Sequence, residues 1–175
     1  HIFNNRIWPD FTRIPSPEHP VLRFEEITPR TPLAIRGYRV YAARVSHVVP
    51  AYGYLVEDKA GTAVVYTGDS GPTDDIWRRM AGHRVQALIV EVSFPNAQAR
   101  LAHVSGHLTP ALLRQEIAKM PVIPEKIFIC HPKPPYRRTI EKELAAIREA
   151  PLEILEDGME LTIGGREKIT SSGYW

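Results

Sequence analysis

Tyr52-Gly53-Tyr54-Leu55-Val56-Glu57, then Asp58-Lys59-Ala60-Gly61, then Thr62-Ala63-Val64-Val65-Tyr66-Thr67-Gly68-Asp69: two runs of strand formers flank a four-residue polar turn. That is a hairpin signal. The pattern then changes period. Pro72-Thr73-Asp74-Asp75 opens an amphipathic helix through about Ala81, with acids in the first turn where the helix dipole favours them. Val85 to Val92 is nearly all apolar, as expected of a strand covered on both faces. A hairpin that leads into strand–helix alternation predicts an α/β layered domain.

Upstream, Tyr38 to Val45 is rich in strand formers and partly alternates. Residues 9 to 32 hold six prolines, at 9, 15, 17, 20, 29 and 32. Proline removes backbone donors and resists helix and central strand, so this segment reads as irregular, with one short strand near Val21 to Phe24. Downstream, Thr109-Pro110 supplies an N-cap and an N1 proline for a helix through about Lys119. Lys126 to Cys130 is a short buried strand, Arg137 to Glu149 a third helix, and Glu153 to Ile163 a closing hairpin around Asp157-Gly158. The expected organisation is one domain over residues 1–175, with an irregular segment 1–36 and a poorly ordered tail 164–175. In that tail Tyr174 and Trp175 are candidates for docking. There are no internal repeats or low-complexity tracts.

The 175 residues suffice for one domain with a proper core. A formal charge of +2 argues against an extended nucleic-acid or anionic-membrane surface. The single cysteine, Cys130, excludes an internal disulfide framework and a cysteine-rich zinc module. It ends the apolar run Ile127-Phe128-Ile129, so it reads as a buried strand residue rather than a reactive thiol. No apolar stretch approaches the roughly 20 residues that cross a bilayer. The chain opens on His1-Ile2-Phe3 without an initiator Met and reads as the interior of a longer protein.

Several polar residues sit directly after strand-like runs, where α/β folds build their sites. His47 follows Val45, Asp69 follows Thr67 through Gly68, and His131 follows Cys130. Imidazole and carboxylate are ligand types that suit zinc, manganese or iron. Glu91 lies inside an apolar strand and needs a partner there. His107, in Ser105-Gly106-His107-Leu108-Thr109-Pro110, just precedes a helix N-terminus. Each also has a bland reading. A lone histidine is usually a satisfied core or surface residue, Gly-Asp at a strand end is commonly a turn with an Asx bond, and Glu91 has the simple option of a salt bridge. As a set, spaced one supersecondary unit apart, they point to a shared metal site. Gly68-Asp69-Ser70-Gly71-Pro72 is also close to the nucleophile loop of trypsin-like serine proteases. One glycine of that loop is missing and a helix follows where that fold continues into a strand, so Ser70 reads as a turn residue.

Ser46-His47-Val48-Val49-Pro50-Ala51-Tyr52-Gly53-Tyr54 and Tyr66-Thr67-Gly68-Asp69-Ser70-Gly71-Pro72 resemble the third and fourth metal motifs of the metallo-β-lactamase superfamily. Glu91-Val92-Ser93-Phe94-Pro95-Asn96, Ser105 to Pro110, Ile129-Cys130-His131-Pro132-Lys133-Pro134 and the opening His1 to Asp10 are similar to the class II 3′,5′-cyclic-nucleotide phosphodiesterases of that superfamily. The resemblance implies the C-terminal half of an αββα sandwich with a dinuclear centre. His47 would bind the first metal, Asp69 bridge both and His131 bind the second, while Glu91 and His107 match a pair that shuttles a proton. It implies two divalent ions, zinc first and manganese or iron as alternatives. It also implies hydrolysis of cyclic AMP or GMP to the 5′-nucleotide by a metal-bridging hydroxide.

The chain departs from the family in one respect. The family's His-x-His-x-Asp-His string is absent, and His103-x-x-x-His107 has the wrong spacing. Its ligands are therefore expected upstream of residue 1, in a missing portion of the same domain. Lys133, with Arg137 and Arg138, reads either as a phosphate-facing cluster or as a solvated charged face. Asn5, with Asn4 and Trp8, is a candidate for the base pocket. The expected partner is a small cyclic nucleotide, with no large nucleic acid and no membrane, a homodimer open, and a cytoplasmic or periplasmic site. The rival readings are an RNA 3′-processing nuclease or esterase of the same fold, and a scaffold domain that has lost its metals.

Overall fold

The computed structural model describes residues 2–164. Runs of β-branched and aromatic residues form seven strands: β1 (Leu33–Ile35), β2 (Tyr38–Val45), β3 (Ala51–Glu57), β4 (Thr62–Tyr66), β5 (Arg84–Glu91), β6 (Lys126–Cys130) and β7 (Leu152–Ile154). They make one sheet in chain order. The hairpin read from the sequence is β3–β4, in register at Leu55↔Val65. Its turn is built by Asp58, whose Oδ1 accepts the N–H groups of Ala60 and Thr62, each at 2.8 Å.

The sheet is antiparallel from β1 to β4 and parallel from β4 to β7. Two antiparallel steps return β4 to the direction of β2, and β5 and β6 follow β4. The C-terminal ends of β2, β4, β5 and β6 therefore open on the same sheet edge. β3 points the other way.

Four helices accompany the sheet: α1 (Asp75–Met80), α2 (Ala99–Ser105), α3 (Pro110–Ile117) and α4 (Arg137–Leu144). One core cluster joins Leu55, Val65, Leu88, Val90, Ile127 and Ile129 of the sheet to Ile76, Leu113 and Ile140 of the helices, all fully buried. Each such side chain contributes about 1.5–3 kcal/mol by leaving water. Thr109 caps α3 as expected, accepting from the Leu112 N–H at 3.3 Å. A buried carboxylate locks α3 to the entry of α1. Glu116 Oε2 accepts the Thr73 N–H at 3.0 Å and Trp77 Nε1–H at 2.7 Å, and Lys119 balances its charge at 2.8 Å.

The structure departs from the sequence reading in five places. Residues 21–24 form no strand. The Val21 and Leu22 N–H groups donate to Ile14 and Phe11 carbonyls in a knot of turns, because the nearby prolines offer no ladder donors. The closing hairpin is absent. Leu152–Ile154 instead adds in parallel to the edge of β6, and Asp157-Gly158 makes only a turn closed by Met159 N–H to Glu156 at 3.1 Å. α4 stops at Leu144, where Ala146 and Ile147 tighten into turns ahead of Pro151, rather than running on to Glu149. Neither β1 nor α2 was expected. No described helix is long and apolar enough to cross a membrane. His1 and residues 165–175, with the docking pair Tyr174 and Trp175, lie outside the described residues.

Glu116→Ala orphans two buried donors, each costing about 1–3 kcal/mol. Urea denaturation at pH 7 is expected to show a loss of at least ~2 kcal/mol.

Candidate functional site

The four strands β2, β4, β5 and β6 each deliver a polar residue to the shared edge. His47 stands two residues past β2 and Asp69 three past β4, Glu91 is the last residue of β5, and His131 is the first after β6. His107 arrives differently, from the helix α2. That helix ends in a left-handed Gly106 (φ +68°), and the His107 N–H closes it by donating to Ala102 at 2.8 Å. Glycine is required there for a second reason. A Cβ on Gly106 would lie 2.9 Å from His47 Nδ1 and 3.0 Å from His47 Cα.

The five residues converge. His47, Asp69 and His107 bring ligand atoms within 4.8 Å of one another, as do Glu91, His107 and His131. His107 belongs to both groups, with its ring centre 5.1 Å from His47 and 5.5 Å from His131. The hydrogen bonds assign the imidazole tautomers. His47 Nδ1 lies 2.9 Å from the Gly106 carbonyl, which only accepts, so Nδ1 carries the proton. His107 Nδ1 faces Glu91 Oε1 at 2.7 Å. His131 Nδ1 faces Asp69 Oδ1 at 3.1 Å and Ser93 Oγ at 3.1 Å. Its Nε2 accepts from the Lys133 ammonium, which only donates, at 3.0 Å. All three rings thus turn Nδ1–H to a protein acceptor; His47 and His107 leave the Nε2 lone pair to the site, while that of His131 accepts from Lys133. This is how protein matrices orient ligating histidines. The donor set of three imidazoles and two carboxylates suits a divalent transition ion.

Burial sets the electrostatics. Glu91 is wholly buried and its Oε2 has no hydrogen-bond partner. Desolvation pushes its pKa up to about 7, against hydrogen bonds from Ser93 and from the Ser70 and Leu108 backbone that pull it down. Desolvation also lowers the pKa of His107, opposed by Asp69 and reinforced by Lys133 and His47. A 2.7 Å contact taken alone suggests an ion pair, but both shifts favour the neutral partners. Both shifts have one cause, that a buried charge is costlier than a buried hydrogen bond.

The remaining candidates separate. Lys133 joins the site through His131. Arg137 does not, since Glu141 at 2.8 Å and Glu156 hold it, and the solvated-face reading applies to it. Asn5 sits in an N-terminal turn with φ +62°, its Oδ1 accepting the Asp10 N–H at 2.9 Å; among the described residues no polar or ring contact ties it to the histidines. Ser70 is buried, with its hydroxyl donating to the Gly71 carbonyl at 2.8 Å, a turn residue and not a nucleophile. Burial raises the Cys130 thiol to about 11, with the Glu91 and Asp69 charges adding to it, so it stays protonated. Two residues were passed over: Ser93, which touches both His107 and His131, and Phe94, whose ring stands edge-on to His107 at 5.8 Å. Ser93 follows β5 just as His47 follows β2, so the strand-end signal was there to be read.

A family model described as a β-lactamase superfamily domain matches residues 6–131, and the chain belongs to that superfamily. No curated protein matches it significantly. Among solved structures it is similar to the metallo-β-lactamase fold protein YhfI of Bacillus subtilis (TM-score 0.62, 20% identity, 74% of this chain, 52% of that one). It is also similar to the short form of human tRNase Z (0.58, 21%, 75% and 45%) and to a diphosphatase of the PhnP family (0.54, 15%, 75% and 46%). These likenesses show a shared fold, and the chain spans about half the length of each.

Gly106→Ala is expected to cost about 1–2 kcal/mol from the left-handed backbone alone, and more from the clash with His47, as read by urea denaturation. Glu91→Gln tests the buried carboxyl. Its folded pKa of about 7 lies above the ordinary 4.5, so the native state retains a proton that the unfolded chain releases. Wild-type stability therefore falls as pH rises from 4.5 to 7. With chelator present, the advantage of Glu91→Gln should grow across that window and be flat above and below it.

Proposed function

We propose that this β-lactamase-superfamily chain carries part of a metal-dependent phosphodiesterase site, and that the substrate is a 3′,5′-cyclic nucleotide opened to the 5′-nucleotide. The observation that carries the reading is the convergence of three imidazoles, each with Nδ1–H held by a protein acceptor, with two carboxylates at one sheet edge. The motif resemblance of residues 46–54, 66–72, 91–96, 105–110 and 129–134 narrows it to cyclic nucleotides. Two proteins of the same fold are a tRNase and a diphosphatase by name, which accords with chemistry at phosphorus.

His47, Asp69 and His131 are the residues that would hold the divalent ions. Such ions supply Lewis acidity, lowering the pKa of water toward neutrality and offsetting charge on phosphate oxygens. The chain's own residues do the rest. His107 handles the proton of the leaving 3′ oxygen at Nε2, while Glu91 fixes its Nδ1–H and steadies the imidazolium when it forms. The lowered pKa of His107 makes it a ready donor once charged. Lys133, beside His131 at the exposed rim, offers an ammonium to a phosphate oxygen. The net charge of +2 gives no broad basic footprint for a large RNA, which favours a small substrate over the nuclease reading.

Metal analysis and product identification test the proposal. We expect stoichiometric divalent metal in the purified protein, and cyclic AMP converted to 5′-AMP alone. Absence of metal after chelator-free purification would favour the scaffold reading. Asp69→Ala should lose both metal and turnover. His107→Ala should keep its metal while kcat falls about 10²–10⁴-fold; unchanged turnover would sink the proton-donor role.

A further inference from the structure

Ser93 has no part in the proposed chemistry, yet it is the node where the two histidine-bearing loops meet. Its backbone N–H donates to Leu108, next to His107, at 3.1 Å. Its carbonyl accepts the N–H of Lys133, two residues past His131, at 3.2 Å. Its hydroxyl oxygen is fully buried and lies 3.3 Å from His107 Nδ1, 3.1 Å from His131 Nδ1 and 3.3 Å from the His131 carbonyl. A serine hydroxyl has one proton and two lone pairs. The carbonyl is placed to take the proton, and the two Nδ1–H groups take the lone pairs. The Glu91 carboxyl is a second acceptor within reach of that proton; whichever of the two takes it, both lone pairs stay turned to the Nδ1–H groups.

We propose that Ser93 is the positioning residue that sets the tautomer of His131 and couples that ring to His107. The backbone of His131 is left-handed (φ +63°), a conformation uncommon outside glycine, and the Ser93 hydroxyl donates to the carbonyl of that residue. Ser93 thus holds both the strained backbone and the ring of one residue. Asp69 shares the His131 Nδ1–H, but Asp69 is about half exposed and is itself a candidate ligand, whereas Ser93 is wholly buried and is not one. Ser93 keeps Nε2 of His131 deprotonated and facing the site when the Asp69 carboxylate is drawn elsewhere. Bonds of this kind to a ligating imidazole are worth about 10–100-fold in metal affinity. The link to metal rests on the function proposed above. The tautomer assignment does not, and it is tested on the metal-free chain.

The experiment is ¹⁵N NMR of the histidine rings at pH 8, with chelator, in a Lys133→Met chain, because the Lys133 ammonium also fixes Nε2 of His131 as an acceptor; every variant below carries that change, and Asp69→Ala removes the competing acceptor at Nδ1. The Nδ1 and Nε2 resonances of His131 should stay well separated in D69A, because Ser93 still holds Nδ1–H. In D69A/S93A they should converge as the tautomers mix, and D69A/S93T, which restores a hydroxyl, should separate them again. A merely structural role would lower thermal stability without moving these resonances. Convergence in D69A alone would assign the tautomer to Asp69 and overturn the proposal, as would continued separation in D69A/S93A. Should D69A/S93A not fold, D69A/S93C replaces the hydroxyl with a weak acceptor of similar size, and separated resonances there would overturn the proposal equally.

Discussion

The site depends on the shared direction of four strands. A strand points a carboxylate or imidazole at an edge of the sheet only if its C-terminal end reaches that edge. β2 and β4 agree because one antiparallel strand lies between them, and β5 and β6 agree with β4 because helices return the chain to the starting edge. The hairpin turn at Asp58 thus has consequences far from itself. If β3 were lost, β2 and β4 would become antiparallel neighbours and His47 would emerge opposite Asp69. The fully buried Leu55, Leu88 and Ile127, on three strands of the sheet, hold that alignment rigid.

Within the edge, the governing term is desolvation. Glu91 ends a strand buried on both faces, so its carboxyl has no water and resists ionisation. His107 lies over it and resists protonation for the same reason. A pair whose partners both prefer neutrality is poised to gain or lose a proton with little solvent rearrangement. Nearby charges tune that balance in opposite senses, Asp69 favouring the imidazolium and Lys133 opposing it. Lys133 has a second effect, since its ammonium occupies the free nitrogen of His131.

How legible this was varies residue by residue. His47, Asp69 and His131 stood out because strand ends are visible as apolar runs and polar residues just beyond them are conspicuous. Glu91 stood out because a carboxylate inside an apolar run demands a partner. The family resemblance named that partner, but the local pattern did not, as His107 lies sixteen positions on and reaches Glu91 through the unforeseen helix α2. That helix has no acid in its first turn and exposes Leu101 and Val104, so it lacks the amphipathic signature by which short helices are recognised. Ser93 was overlooked because a single serine past a strand is ordinary until two histidines are seen to share it. The closing hairpin failed for a related reason. Asp-Gly is a good turn, but a turn makes a hairpin only where two free edges can pair, and the edge of β6 had already taken Leu152–Ile154 in parallel.

Local sequence by itself determined the elements: the period-2 and all-apolar runs of the central strands, the Thr109-Pro110 helix start, the irregular proline segment and the residue types suited to metal. These follow from backbone sterics, burial pattern and side-chain chemistry within a few positions of each other. Tertiary structure alone decided which polar residues meet, which nitrogen of each imidazole faces the site, and which cations stay free. Arg137 and Lys133 are indistinguishable on paper; Glu141 and Glu156 neutralise the first, while His131 receives the second. Gly106 carries no signal of its own in the sequence, yet its missing Cβ is what lets His47 lie against it. The physical reason is common to these cases. Pairing, desolvation and tautomer are set by atoms within about 3 Å, and the residues that supply them are distant in sequence.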